Sequence, residues 1–211
     1  MKRAQPSVNR VFLQKLQRFT AEAMISSSAL RKVGAAGAVK CARVYLSSIT
    51  FSGLDRFTRF DYLLWLNRNT ERLRDEFPAG AQKWGPARKA INIFMRSIVY
   101  TSPLADEYRL RNLLPYLEVP LDSNTGSALA DEPEGAELPK WKSVVGLTPD
   151  LSNEYQAAAL RVARRMGVHR ADLDVYYWRP PRAKCAATAA LPRKFVLRAI
   201  PFNDFPPFPV F

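Results

Sequence analysis

The sequence predicts an all-α fold, and three observations carry that expectation. Apolar residues recur at the three-and-four spacing of a helix face over several long stretches. Those stretches open on cap residues, in places followed by proline, and close on glycine or proline. No alternating pattern or hairpin turn argues for a sheet, and 194–200 is the one candidate for a short strand. Seven to ten helices are expected, in a single domain over 1–211 or in two lobes, 1–80 and 81–179, with a groove between them. Seven prolines make 180–211 an irregular segment, punctuated by Phe202, Phe205, Phe208 and Phe211 and expected to run extended over the helical body.

Taken in order, Ser7 is the expected N-cap of a first helix with the apolar stripe Val8, Val11, Phe12, Leu16, Phe19 and Ala23. A second helix is expected over 28–48, with Leu30, Val33, Gly37, Cys41, Val44 and Tyr45 inward. Gly34 and Gly37 each cost about 1 kcal/mol relative to alanine in a helix, so they either allow close packing or mark a break. Thr58 caps a third helix running to Phe77, on which Tyr62 and Trp65 suit either a core or a stack on an extruded base. Pro78-Ala79-Gly80 ends it. Pro86 then reads as the first position of a helix whose apolar face is Ala87, Ala90, Ile91, Phe94, Met95 and Ile98 and whose other side is Arg88, Lys89, Asn92 and Arg96.

Ser102-Pro103 starts a short helix to about Arg109, and 110–118 reads as one or two further turns before Pro120. Asp122-Ser123-Asn124 has the chemistry of an N-cap, which is by itself a sufficient role for Asp122. The stretch 130–139, rich in acids and turn residues, is the most loop-like and is expected to be a mobile surface loop. Thr148-Pro149 opens a helix to Met166 that Gly167 closes, and Arg164 and Arg165 near its end suit the dipole. His169, Asp172, Asp174 and the run Tyr176-Tyr177-Trp178 follow.

Composition narrows the function. Apolar residues make up 47% of 211 residues, too many for a disordered chain, and no run approaches the roughly 20 apolar residues of a membrane helix. The first residues do not form a signal peptide, so a cytoplasmic location is expected. Two distant cysteines and one histidine point to neither a disulfide scaffold nor a metal site nor a Ser-His-Asp arrangement. The net charge of +13 calls for a polyanion. The charge is also segregated: residues 1–50 hold nine Lys or Arg against Glu22, and 120–139 hold five acids and no base. DNA, most readily double-stranded, is the expected partner; no membrane partner is expected, and a monomer is favoured.

The stretch 82–129 combines a glycine turn at Gly85-Pro86, a lysine near the start of a helix, and Val119-Pro120-Leu121-Asp122-Ser123 opening another. It resembles the helix-hairpin-helix DNA glycosylases, such as the 8-oxoguanine glycosylases. In that family a hairpin glycine turn leads into a helix bearing a catalytic lysine, and a Val-Pro-Val-Asp-like segment supplies a catalytic aspartate. The resemblance implies Lys89 as the lysine, Asp122 as the aspartate, and 101–118 as an inserted helix. It implies an enzyme that extrudes a modified or damaged base and attacks the sugar C1′, with or without lyase activity. Gly85, Arg88, Asn92, Arg96, Lys140 and Lys142 are then expected on the nucleic acid, and Tyr62, Trp65 and Trp84 at the base pocket. Asp172 and Asp174 are the rival carboxylates, and neither a metal nor an organic cofactor is called for. A non-catalytic basic DNA- or RNA-binding protein, or a helical interaction protein such as a phage-defence or toxin–antitoxin component, would use the same basic helices.

Overall fold

The computed structural model describes residues 9–30, 33 and 35–178. Among them the fold is all-α: α1 Arg10–Met24, α2 Ala38–Ser47, α3 Arg59–Glu76, α4 Trp84–Tyr100, α5 Ser102–Glu107, α6 Ser123–Asp131, α7 Pro149–Met166 and α8 Leu173–Tyr177, with four short 3-10 turns and no strand. No helix among these residues is long and apolar enough to cross a membrane. The expectations for Val8 and Gly34, and for the irregular segment 180–211 with its strand at 194–200, lie outside the described residues, whereas the N-cap of α1 is Asn9 and not the expected Ser7, its side chain accepting from Val11 N and Phe12 N.

The helix starts follow cap chemistry. Thr58 and Asp61 form a reciprocal capping box on α3, Asp122 caps α6, and Thr148 accepts from Leu151 N at the start of α7. Gly167 at φ 70° closes α7 in the left-handed conformation that a residue with a Cβ seldom adopts. α4 begins at Trp84, two residues before the expected start, with Lys83 as its N-cap. Pro86 fits inside that first turn because its missing N–H would have no helical partner there.

Two groups of buried apolar side chains form the interior. The first runs from Leu13 to Leu117 over α1–α5 and takes in Ala171; the second runs from Val119 to Leu173 and is built mainly by α6, α7 and α8. α4 is central to the first group, and Trp84 at its start packs on the second. The expected apolar face of α4 is fully buried. Its other side is not a solvated face: Arg88, Lys89 and Asn92 are buried too. Gly85 makes the close approach possible, since a Cβ there would lie 2.0 Å from the Val144 carbonyl oxygen.

Three further expectations change. On α1, Val11, Phe12 and Phe19 are exposed, and the inward face is Leu13, Gln17, Thr20 and Ala21. Gln17 is drawn inward by hydrogen bonds from its amide to the Leu46 and Ile49 carbonyls, which close the end of α2. α2 starts ten residues later than expected because Gly37, at φ 93°, breaks the chain, and Val44 then faces out. The acidic stretch after α6 is not a free loop. Arg165 of α7 pairs with Glu132 and Glu134, each at 2.6 Å, and a Cβ on Gly135 would collide with the Leu129 carbonyl.

Candidate active site on the central helix

Arg88 and Lys89 are neighbours on α4, so their side chains leave the helix about 100° apart and meet different elements. Arg88 turns to α3 and to the extended stretch 116–121. Its Nε donates to Glu118 Oε2 at 2.9 Å and its Nη2 to Oε1 at 3.0 Å, a bidentate pair. Nη1 donates to Asn67 Oδ1 and Thr70 Oγ1, and the guanidinium lies 5.2 Å from the Trp84 ring centre. Asn92 Nδ2 completes Glu118 at 3.1 Å. Burial alone would raise the Glu118 carboxyl, but the charge and hydrogen bonds of Arg88, the Arg170 charge and the Asn92 amide outweigh it and hold the acid below its ordinary range.

The same stretch is clamped from its other side. Arg170 donates to the Tyr116 and Leu117 carbonyls, each at 3.0 Å, and Gln156 exchanges two hydrogen bonds with the backbone of Val119. The result fixes residues 116–119 without a strand partner and delivers Pro120-Leu121-Asp122 to the start of α6.

Lys89 turns toward that start. Its Nζ lies 3.4 Å from Asp122 Oδ2, and the two side chains are 8% and 30% exposed. The other Asp122 oxygen accepts from Asn124 N at 2.9 Å and Thr125 N at 3.0 Å. One oxygen therefore caps α6 and the other meets the lysine. Further along α4, Arg96 Nη1 donates to Asp174 Oδ2 at 2.7 Å and Tyr100 donates to Asp172 Oδ1 at 2.5 Å. Burial raises the Asp174 carboxyl despite Arg96, and the charge of Asp122 adds to that rise. Burial and the bond to Asp172 push the Tyr100 phenol up to about 12. Lys89, Arg96 and Tyr100 follow one another at seven and four residues, so one edge of α4 meets all three aspartates singled out in the sequence.

Trp141 sets the surroundings of α6. It packs edge-on against Tyr155, ring centres 5.2 Å apart, and so close to Gly126 that a Cβ there would fall 2.2 Å from the indole. Gly126 is one helical turn from Asp122, whose carbonyl its N–H bonds at 2.7 Å. The anchored indole leaves Lys140 and Lys142 exposed on either side of it.

Other expected site residues lie elsewhere or are already engaged. Gly85 and Asn92 are buried, and Arg88 is closed around Glu118, so none presents a free donor to a phosphate. Arg96 is tied to Asp174. Tyr62 is fully buried and has no face for a base, and Trp84 lies half-buried beneath Arg88. Trp65 stacks on Tyr62 with ring centres 5.8 Å apart and borders a cavity of about 490 Å³ between α2 and α3, whose lining includes neither Lys89 nor Asp122.

Glu118 and Arg170 organise this region and were not singled out in the sequence. Glu118 had one signal: it is the single acid between Glu107 and Asp122. Among the described residues, no cluster of three or more His, Cys, Asp or Glu could hold a metal ion. The chain matches no family model, no curated protein and no solved structure.

Proposed function

We propose that the chain is a DNA glycosylase that removes a modified or damaged base, with Lys89 as nucleophile and Asp122 as the carboxylate that serves it. The observation that carries this reading is the 3.4 Å approach of a buried lysine amine to an aspartate whose second oxygen is fixed by two backbone N–H groups. A lysine attacks only as the free amine, so it needs a proton acceptor in reach and a site from which water is largely excluded. Asp122 supplies the first, and burial of the lysine the second. In the proposed step, the Nζ proton passes by way of Asp122 to the departing base, the glycosidic bond breaks, and Nζ bonds to C1′. The restored carboxylate then faces the positive charge that develops on the sugar, the role carboxylates play in glycoside cleavage. Ring opening gives an imine between Lys89 and C1′.

The positive charge of the whole chain and the exposed Lys140 and Lys142 beside α6 supply the attraction for the DNA backbone. Incubation with duplexes that carry a panel of modified bases, in the presence of borohydride, tests the reading. A covalent protein–DNA adduct is expected from the native chain and none from Lys89→Gln, with Asp122→Asn losing excision while keeping the helix cap. An intact panel, together with retained DNA binding, would leave Lys89–Asp122 a structural ion pair in a binding protein. Loss of excision in Asp122→Asn alone would make water the nucleophile and Asp122 its activator.

A further inference from the structure

The cavity between α2 and α3 has its own chemistry. Its floor is aromatic, from Tyr45, Phe57 and Trp65, and its rim carries Arg68 and Arg72. Its volume, about 490 Å³, lies within the roughly 300–1,000 Å³ of small-ligand sites. The ring faces are set before any ligand arrives. Trp65 is backed by the buried Tyr62 ring, and Tyr45 is fixed by its hydroxyl donating to Asn69 Oδ1 at 2.8 Å. Asn69 is held in turn by Nδ2 donating to the Trp65 carbonyl.

The cations are placed differently from those of α4. Arg68 and Arg72 are one turn apart on α3, both exposed, and neither has an ion-pair partner among the described residues. The one carboxylate in the lining, Asp61, precedes Arg68 by seven residues, about 10 Å of helix rise. Its Oδ2 is occupied by the Thr58 N–H and hydroxyl, while its Oδ1 has no hydrogen-bond partner among the described residues. From one end to the other the cavity thus offers a carboxylate acceptor, an aromatic floor and a pair of guanidiniums.

We infer that this cavity is a nucleotide site, in which a base stacks on Trp65 with its exocyclic amine toward Asp61 and its phosphate lies between Arg68 and Arg72. Aromatic stacking combined with arginine contacts to the backbone is how unpaired nucleotides are held without a fixed sequence, and a carboxylate accepting from an exocyclic amine favours cytosine over thymine. The site stands apart from Lys89 and Asp122 and does not depend on the glycosylase reading.

Titration of the full chain with the pentanucleotide dC5, and separately with dCMP, tests it by tryptophan fluorescence and by the salt dependence of affinity. The native chain is expected to bind dC5 with quenching of its emission. Arg68→Gln/Arg72→Gln, two exposed substitutions that leave the core untouched, is expected to weaken binding at least about ten-fold and to flatten the log-affinity against log-salt slope by about 0.7, the value for one phosphate contact on a single strand. Trp65→Leu, checked for folding by circular dichroism, should lose the quenching. Tighter binding of dC5 than of dCMP assigns the site to a strand, and equal binding assigns it to free nucleotides. Lys89→Gln should bind dC5 as the native chain does. Failure of both probes to bind, or an unchanged affinity and slope in the double arginine variant, overturns the inference.

Discussion

Arg88 and Lys89 are consecutive, both basic and both buried, yet they enter pairs of opposite character. Arg88 and Glu118 are closed: side chains 4% and 2% exposed, both carboxylate oxygens engaged, the guanidinium bonded on every nitrogen. Lys89 and Asp122 are open: the contact is a single long one, and nearly a third of the aspartate side chain meets solvent. A planar fork can saturate a carboxylate and remain inert, whereas an ammonium meets it at one point and leaves the group free for other partners. The first pair joins the two apolar groups of the interior; the second leaves its carboxylate partly open to solvent.

That contrast can be broken, and the largest effect is expected at Glu118. Glu118→Gln leaves Arg88 buried and uncompensated, which should cost about 3–5 kcal/mol in chemical denaturation, whereas Lys89→Gln should cost about 1 kcal/mol or less. Equal losses would mean that both pairs serve stability alone. The pH dependence gives the sign: because the folded Glu118 carboxyl is held below its ordinary value, its stabilisation is complete above the unfolded value near 4.3 and is lost as the pH falls through the lowered folded value. Glu118→Gln should remove that part of the acid-unfolding curve.

A smaller loss, about 1–3 kcal/mol, is expected from Gly126→Ala, because the new methyl overlaps the Trp141 ring and the indole must move. Melting temperature would register it, and Trp141→Leu in the same chain should recover part of it. The finest test separates the two roles of Asp122. Asp122→Ala should lower stability by about 1 kcal/mol through loss of the cap, and Asp122→Asn by much less, since an amide oxygen still accepts from Asn124 and Thr125. If the two variants prove equally stable, the capping oxygen contributes nothing measurable.

The starts of α3 and α7 and the end of α7 were legible in the sequence because they are local: Thr58 with Asp61, Thr148 with Pro149, and Gly167 act within four residues. Faces were legible only where apolar residues alone decide them, as along the apolar side of α4. α1 went the other way because Gln17 finds two carbonyls some thirty residues on, and periodicity counts a glutamine as outward whatever it can bind. The polar side of α4 failed for the same reason: Glu118, thirty residues from Arg88, turns a basic stripe into a buried one. Lys89 and Asp122 were singled out by resemblance and meet in space, while the aromatic residues expected around them were read from type alone and lie in other places.

The clamp on residues 116–119 also dictates when the molecule can be finished during synthesis. Arg170 and Gln156, which hold that stretch, are made well after Asp122. At about 5–20 residues per second, the ribosome adds the residues between Asp122 and Arg170 in roughly 2–10 s. Through that interval the nascent chain carries Lys89 and Asp122 without the support that sets them opposite each other, so the pair is assembled late, by the arrival of α7 and the turn that follows it.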